Sequence, residues 1–254
     1  IMPTYRNDGQ TLKRSIDSVI NQTYENWELI IVDDNSEKDY SLLVKKIVDN
    51  YINDKIIYLK NETNIGSAKS RNEGIKRAQG KYITFLDDDD EYLPDKLFKQ
   101  YNTMKENNSD FSLMDLDLFD NQGNLVRKRR HKYLFNETNL LKIHLKHHLT
   151  GTDTFMFKKE FILKIGLFDE IDMGDEFYLM LKAIQSNGKF SYIPETEVKA
   201  YVHGLGIGIT SGKTKIDGEN KLYAKKKEYF GELTKKDIKY IKMRHYLVLL
   251  SCAI

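Results

Sequence analysis

One cysteine, Cys252, stands in a chain of 254 residues. That excludes an internal disulfide and a zinc cluster built from several thiolates, and it fits a reducing compartment. Proline is also scarce, at 3 residues, and no Gly/Ser/Pro-rich stretch interrupts the chain, so composition marks no linker between independent domains. No apolar run approaches the ~20 residues needed to span a bilayer, and no signal-peptide pattern is visible. The expected location is the cytoplasm, or the inner face of a membrane touched peripherally by the C-terminal segment, where Tyr246 to Ile254 is apolar and follows several basic residues. Net charge is nearly absent too: 40 Lys+Arg against 38 Asp+Glu leaves +2, no global field to attract nucleic acid. Any functional charge has to be local.

What is present is a core. With 40% hydrophobic residues over this length, the chain can bury one large domain. The numbering opens at Ile1-Met2-Pro3, an apolar-to-turn transition, so it is expected to begin inside a strand. Short apolar runs then alternate with helical patterns. Leu29-Ile30-Ile31-Val32, Ile56 to Leu59 and Tyr82 to Leu86 read as strands. Leu12, Ile16, Val19 and Ile20, and later Leu43, Val44, Ile47 and Val48, recur at helical spacing, while Ser67 to Ala78 reads as a helix closed by Gly80. This order predicts an α/β fold, a mostly parallel sheet flanked by helices. A helix over Asp95 to Lys105, a strand over Phe111 to Leu118 and a turn at Asp120 to Asn124 follow. Beyond them the alternation weakens. Val126 to Leu149 is basic and contains histidines, Phe155 to Asp169 gives a strand and a helix stopped at Gly166, Asp175 to Ser186 is helical, and Tyr192-Ile193-Pro194 opens an edge segment. The second half is irregular, and one domain is expected.

Two acidic clusters sit at strand ends, where open α/β sheets bind ligands. Asp87, Asp88, Asp89 and Asp90 follow Phe85-Leu86, and Asp33-Asp34 follow Val32. If the chain stays extended, Asp87 and Asp89 project to one side, where two carboxylates repel unless a cation lies between them. Hard oxygen donors suit Mn²⁺ or Mg²⁺. A solvated acidic loop ahead of a helix, and helix capping at Asp33 to Ser36, are the bland alternatives. Receiver domains also carry an acidic pair at a strand end, so that pair alone does not decide function.

Five segments in order resemble the family 2 glycosyltransferases of the GT-A fold: Pro3-Thr4-Tyr5, Val32-Asp33-Asp34-Asn35-Ser36, Asn64-Ile65-Gly66, Ser70 to Ile75, and Phe85 to Asp90 followed by Pro94. The resemblance implies that 1–110 form the nucleotide-sugar-binding half, 111–212 the acceptor-binding and catalytic half of the same domain, and 213–254 a basic helical tail. It implies a base-binding role for Tyr5 and Asp34 and donor contacts from Pro3, Thr4, Asn64, Gly66, Arg71 and Asp88. Asp87 would reach the ribose and Asp89 the metal. Asp88 departs from the family, where small neutral residues are common. Gly166 to Glu170 followed by Gly174-Asp175-Glu176-Phe177 resembles the acidic motif of an acceptor-side helix, with Asp175 ranked above Glu176 as general base. An acidic helix N-terminus favoured by the dipole is the plain alternative. His203, ahead of Gly204, Gly206 and Gly208, is a further metal-ligand candidate, and a histidine site at His144, His147 and His148 is a remote one. The run Arg127 to Arg130 reads as a solvated or phosphate-facing patch.

The resemblance implies hexosyl or N-acetylhexosaminyl transfer, with inversion, from a nucleotide diphosphate donor such as UDP-sugar to a saccharide or lipid-linked acceptor, as in surface-polysaccharide or teichoic-acid synthesis. A non-catalytic nucleotide-sugar binding or assembly module is the alternative from another class, and a nucleotidyltransferase the alternative enzyme.

Overall fold

Three apolar runs, β1 (Met2–Thr4), β2 (Leu29–Asp33) and β3 (Ile56–Lys60), pair in parallel in that order. Parallel neighbours need crossovers, and α1 (Gln10–Ile20) and α2 (Lys38–Asp49) supply them. All five residues of β2 are buried, because both of its faces are covered. Leu29 and Ile31 pack with Leu12 and Ile16 of α1 and Val44 of α2, while Ile30 and Val32 pack on the other face with Ile75 of α3 (Ser67–Arg77). The computed structural model describes residues 1–136, 139–171, 173–202 and 212–252, without the side chains of positions 136, 212 and 213.

A second sheet begins at β4 (Tyr82–Thr84) and takes in β5 (Glu91–Tyr92), β6 (Phe111–Phe119), β7 (Leu125–Arg129), β8 (Phe155–Lys158) and β9 (Phe190–Tyr201). Its order is β4-β8-β6-β9-β5, with β7 paired to β6. Among the described residues, the β6–β9 pair is its parallel one, and the others are antiparallel. Parallel pairing thus dominates only the first three strands, and the irregular sequence of the second half becomes antiparallel structure. The two sheets are joined at Ile1, whose carbonyl accepts from Leu86 N–H at 3.0 Å and whose amino group donates to the Thr84 carbonyl at 2.9 Å.

Tyr192-Ile193-Pro194 does not open an edge. β9 runs for twelve residues between β6 and β5. Its register against β6 shifts where Met114 faces Ile193 and Asp115 faces Thr196, so Pro194 falls in the irregularity and owes no donor to the ladder.

Helices α4 (Lys96–Glu106), α5 (Leu140–His147), α6 (Lys159–Lys164) and α7 (Asp175–Gln185) cover this sheet, and α8 (Gly212–Lys227) and α9 (Lys235–Ser251) follow. Helix α7 serves two cores. Leu179, Met180 and Ala183 enter the sheet core, while Phe177 and Leu181 pack with Leu145, Leu222 and Ile241 of α5, α8 and α9. Along the apolar C-terminal run, Met243, Tyr246, Leu247 and Leu250 stay exposed on α9. No helix among the described residues is long and apolar enough to cross a membrane.

Candidate active site

The carboxylate of Asp34, buried at the end of β2, accepts four hydrogen bonds from the loop that precedes α3. Asn61 Nδ2 at 2.8 Å and Ile65 N at 2.9 Å reach one oxygen, and Asn64 Nδ2 and Gly66 N, both at 2.9 Å, reach the other. A base ring nitrogen, the partner implied by the family resemblance, would have to compete with one of these four. Gly66 adopts φ +86°, which suits glycine as the chain turns into α3. Asn61 also donates to Ser70 Oγ at 3.0 Å, tying the loop to the residue before Arg71. Tyr5 is exposed at the rim, with the Arg6 guanidinium 5.2 Å from its ring centroid, and Pro3 lies buried in β1 opposite Val32.

The aspartate run is a tight turn, not an extended strand end. Asp90 N donates to the Asp87 carbonyl at 3.1 Å, so the alternation expected to align Asp87 with Asp89 does not hold. Residues of α1 hold the turn from below: Ser15 Oγ donates to the Asp90 carbonyl at 2.6 Å and Arg14 to the Asp89 carbonyl. Thr4 Oγ1 donates to Asp88 at 2.6 Å, yet burial pushes the Asp88 carboxyl up to about 7, and the neighbouring Asp89 and Asp87 push the same way.

Three carboxylates converge here: Asp87, Asp90 and Asp153 each offer an oxygen, all within 4.8 Å of one another. Asp153 also accepts Asp87 N–H at 2.7 Å and is pushed up to about 7 by burial and by Asp87. Burial and Asp153 likewise raise Asp90. Asp90 and Asp153 are thus raised by burial and by neighbouring carboxylates, and a hard divalent cation fits a donor set of three converging carboxylates. Asp89, the ligand implied by the resemblance, lies outside this trio, and His203 lies outside the described residues.

Arg71 connects the turn to the second half. Its guanidinium is buried, donates to Asp87 at 2.6 Å and meets Asp175 at 3.4 Å, and its Nε has no partner among the described residues. Asn72, the next residue, clasps the backbone of Phe168 in both directions, at 2.9 and 3.0 Å. That clasp sets the Gly166 to Glu170 loop against α3, with the Phe168 ring 5.6 Å from the Arg71 guanidinium. Asp175 and Glu176 form the first turn of α7, after Gly174 at φ +89°. Both carboxyls are raised chiefly by burial. Arg71 opposes the shift at Asp175, while Asp175 adds to it at Glu176. Glu176 accepts Gly151 N–H at 2.5 Å.

The arrangement places a cation-seeking turn, a buried guanidinium and a raised carboxylate pair at one centre. The profile of glycosyl transferase family 2 matches residues 1–166. This chain belongs to glycosyl transferase family 2. The family member is 34% identical over 203 residues to the uncharacterized glycosyltransferase MJ1057 of Methanocaldococcus jannaschii, covering 78% of this chain and 68% of that one. It is 39% identical over 123 residues to the Escherichia coli UDP-Glc:alpha-D-GlcNAc-diphosphoundecaprenol beta-1,3-glucosyltransferase WfgD, covering 48% of this chain and 47% of WfgD. Its fold matches S. aureus TarS 1-349 in complex with UDP-GlcNAc at a TM-score of 0.67 and 20% identity, covering 88% of this chain and 64% of that one.

Within this family 2 member, the sequence did not single out Asp153, Asn61 or the clasp made by Asn72. Asp153 stands alone between Thr152 and Thr154, far in sequence from the aspartate run, and becomes visible only when β8 and β4 pair. The histidine metal site is not supported. His144 is fully buried, its Nε2 3.0 Å from the Phe177 carbonyl and its Nδ1 accepting Leu149 N–H at 3.1 Å, so both ring nitrogens are occupied.

Proposed function

We propose that the chain transfers a hexosyl or N-acetylhexosaminyl group, with inversion, from a nucleotide diphosphate sugar to an acceptor hydroxyl, UDP being the favoured nucleotide. The observation that carries the reading is Arg71, which touches Asp87 of the aspartate turn and Asp175 at the start of α7 through one guanidinium. Donor and acceptor chemistry thereby meet at one point. The unpartnered Nε of Arg71 offers a further donor to an anionic leaving group. Asp175 is the general base in this reading, since Glu176 is already engaged by Gly151 N–H. Asp87, Asp90 and Asp153 would hold Mn²⁺ or Mg²⁺, with Asp89 at the same turn; such an ion supplies positive charge to the departing diphosphate. Residues 1–110 bind the donor and 111–212 the acceptor. The UDP-GlcNAc held by TarS and the UDP-Glc donor and lipid-linked acceptor in the name of WfgD support a nucleotide-sugar donor and a saccharide or lipid-linked acceptor.

The test is nucleotide release from a panel of UDP-sugars with Mn²⁺ or Mg²⁺, with and without saccharide or lipid-linked acceptors. Acceptor-dependent release of UDP is expected. Release of pyrophosphate would indicate nucleotidyl transfer, and binding without turnover across the panel would indicate a binding module.

A further inference from the structure

A cavity of about 700 Å³ opens between β7, α5 and α9, within the range of ~300–1,000 Å³ common for small-molecule sites. Three guanidinium groups converge on it. Arg129 donates to the Thr150 carbonyl at 3.1 Å and Arg244 to the Lys146 carbonyl at 2.9 Å, which fixes both without neutralising either. Burial lowers the proton affinity of each and Arg127 adds to this, against Glu176 acting on Arg129 and Tyr240 and Glu219 acting on Arg244. The adjacent Arg130 has Asp117 at 2.7 Å, whereas no ion pair forms at Arg127, Arg129 or Arg244 among the described residues. His148, in the same lining, has a buried Nε2 with no hydrogen-bond partner among the described residues. Guanidinium forks without a direct ion-pair partner match phosphate oxygens in number and geometry.

Position and rim narrow the ligand. Thr150 lines the cavity, and the next residue, Gly151, donates its N–H to Glu176, so the basic site adjoins the first turn of α7, where Glu176 follows the candidate base Asp175. Met243 and Leu247 also line it and are 50% and 56% exposed, and Leu250 continues the stripe at 61%. Their spacing puts them on one face of α9, leading away from the cavity. A phosphate pocket that opens onto an apolar track fits an amphiphile.

We propose that this cavity holds the diphosphate of the acceptor, with the acceptor's sugar hydroxyl directed to Asp175 and Glu176 and its lipid chain leaving along Met243, Leu247 and Leu250. The assignment rests on the transferase reading and names the acceptor class that the reading leaves open.

Farnesyl diphosphate and inorganic pyrophosphate serve as probes, titrated calorimetrically into the full chain with chelator present, so that the aspartate turn carries no cation for them. The parent should bind farnesyl diphosphate more tightly than pyrophosphate. Arg127→Ala with Arg244→Ala should weaken both by at least roughly tenfold, as expected for lost guanidinium–phosphate pairs. Met243→Ser with Leu247→Ser should remove only the farnesyl advantage. UDP binding with Mn²⁺ should be parental in all variants, which shows that they fold and separates this site from the donor site. Unchanged probe binding in the arginine variant, or no probe binding by a parent that binds UDP, would overturn the proposal. So would arginine-dependent binding to phosphatidylglycerol vesicles without binding of farnesyl diphosphate, which would mark a membrane-docking patch. A parent that binds no nucleotide would overturn the transferase reading and this acceptor assignment with it.

Discussion

Asp175 and Glu176 are adjacent, but their partners differ. Glu176 is tied to Gly151 N–H, while Asp175 has the longer contact to Arg71. Asp175→Asn should therefore bind UDP near parental affinity and transfer roughly 10²–10⁴-fold more slowly, with Glu176→Gln less affected. Radiolabelled sugar transfer at matched UDP occupancy measures this; full activity in both variants would remove the pair from catalysis. Burial raises both carboxyls, so the acidic limb of the rate profile should lie above the ordinary carboxylate range, with transfer falling as pH drops through it. His144 makes a stability prediction away from the site. Burial lowers it to about 3, so below about pH 6.5 the unfolded chain takes a proton that the folded chain refuses. Its contribution is present above that pH and is lost on acidification at up to about 1.4 kcal/mol per unit. Asp88 and Asp153, raised to about 7, take protons in the folded chain over the same interval and act in the opposite direction. The informative quantity is the parent-minus-His144→Phe difference in urea unfolding free energy, which should shrink from pH 7 to pH 5. A constant difference would contradict a neutral buried imidazole.

At the level of elements, the strands and helices of the first half were legible because one pattern, apolar runs stopped by acidic turns, encodes both pairing and termination. Leu29 to Val32 and Ser67 to Ala78 fall within a residue or so of β2 and α3. The second half was less legible for a physical reason. Antiparallel strands brought together from distant segments, as β8 is with β4 and β6, leave no local periodic signature of their partners. The extended course on which the alignment of Asp87 with Asp89 depended is not adopted, and the backbone bond and the supports from Ser15 and Arg14 that make the turn are invisible in the run itself. Two loops carry element-scale predictions. Asn72→Ala strips a buried N–H and C=O of Phe168 of their partners and should cost about 1–3 kcal/mol by urea unfolding, with weaker UDP binding as the Phe168 loop loosens beside Arg71. Asp34→Ala removes the acceptor of four hydrogen bonds from the 61–66 loop, so nucleotide affinity should fall to a similar degree with and without metal. A loss confined to the metal-containing titration would place Asp34 in the wrong role.

Over the whole molecule, the fold brings together Thr4, Arg71, Asp87, Asp88 and Asp175, all singled out in the sequence, through the contacts Thr4–Asp88, Arg71–Asp87 and Arg71–Asp175. The sequence reading missed Asp153, which converts two neighbouring acids into a three-carboxylate centre. The central claim is that this centre binds a nucleotide diphosphate through a divalent cation. The most direct measurement is the stabilisation of the full chain by UDP, with Mn²⁺ or Mg²⁺ against chelator, in the parent and in Asp153→Asn. A saturating ligand at a hundredfold excess over Kd should add about 2.7 kcal/mol, and the account predicts most of that gain only with metal and its loss in Asp153→Asn. Equal stabilisation by UDP with metal and with chelator in the parent would contradict it.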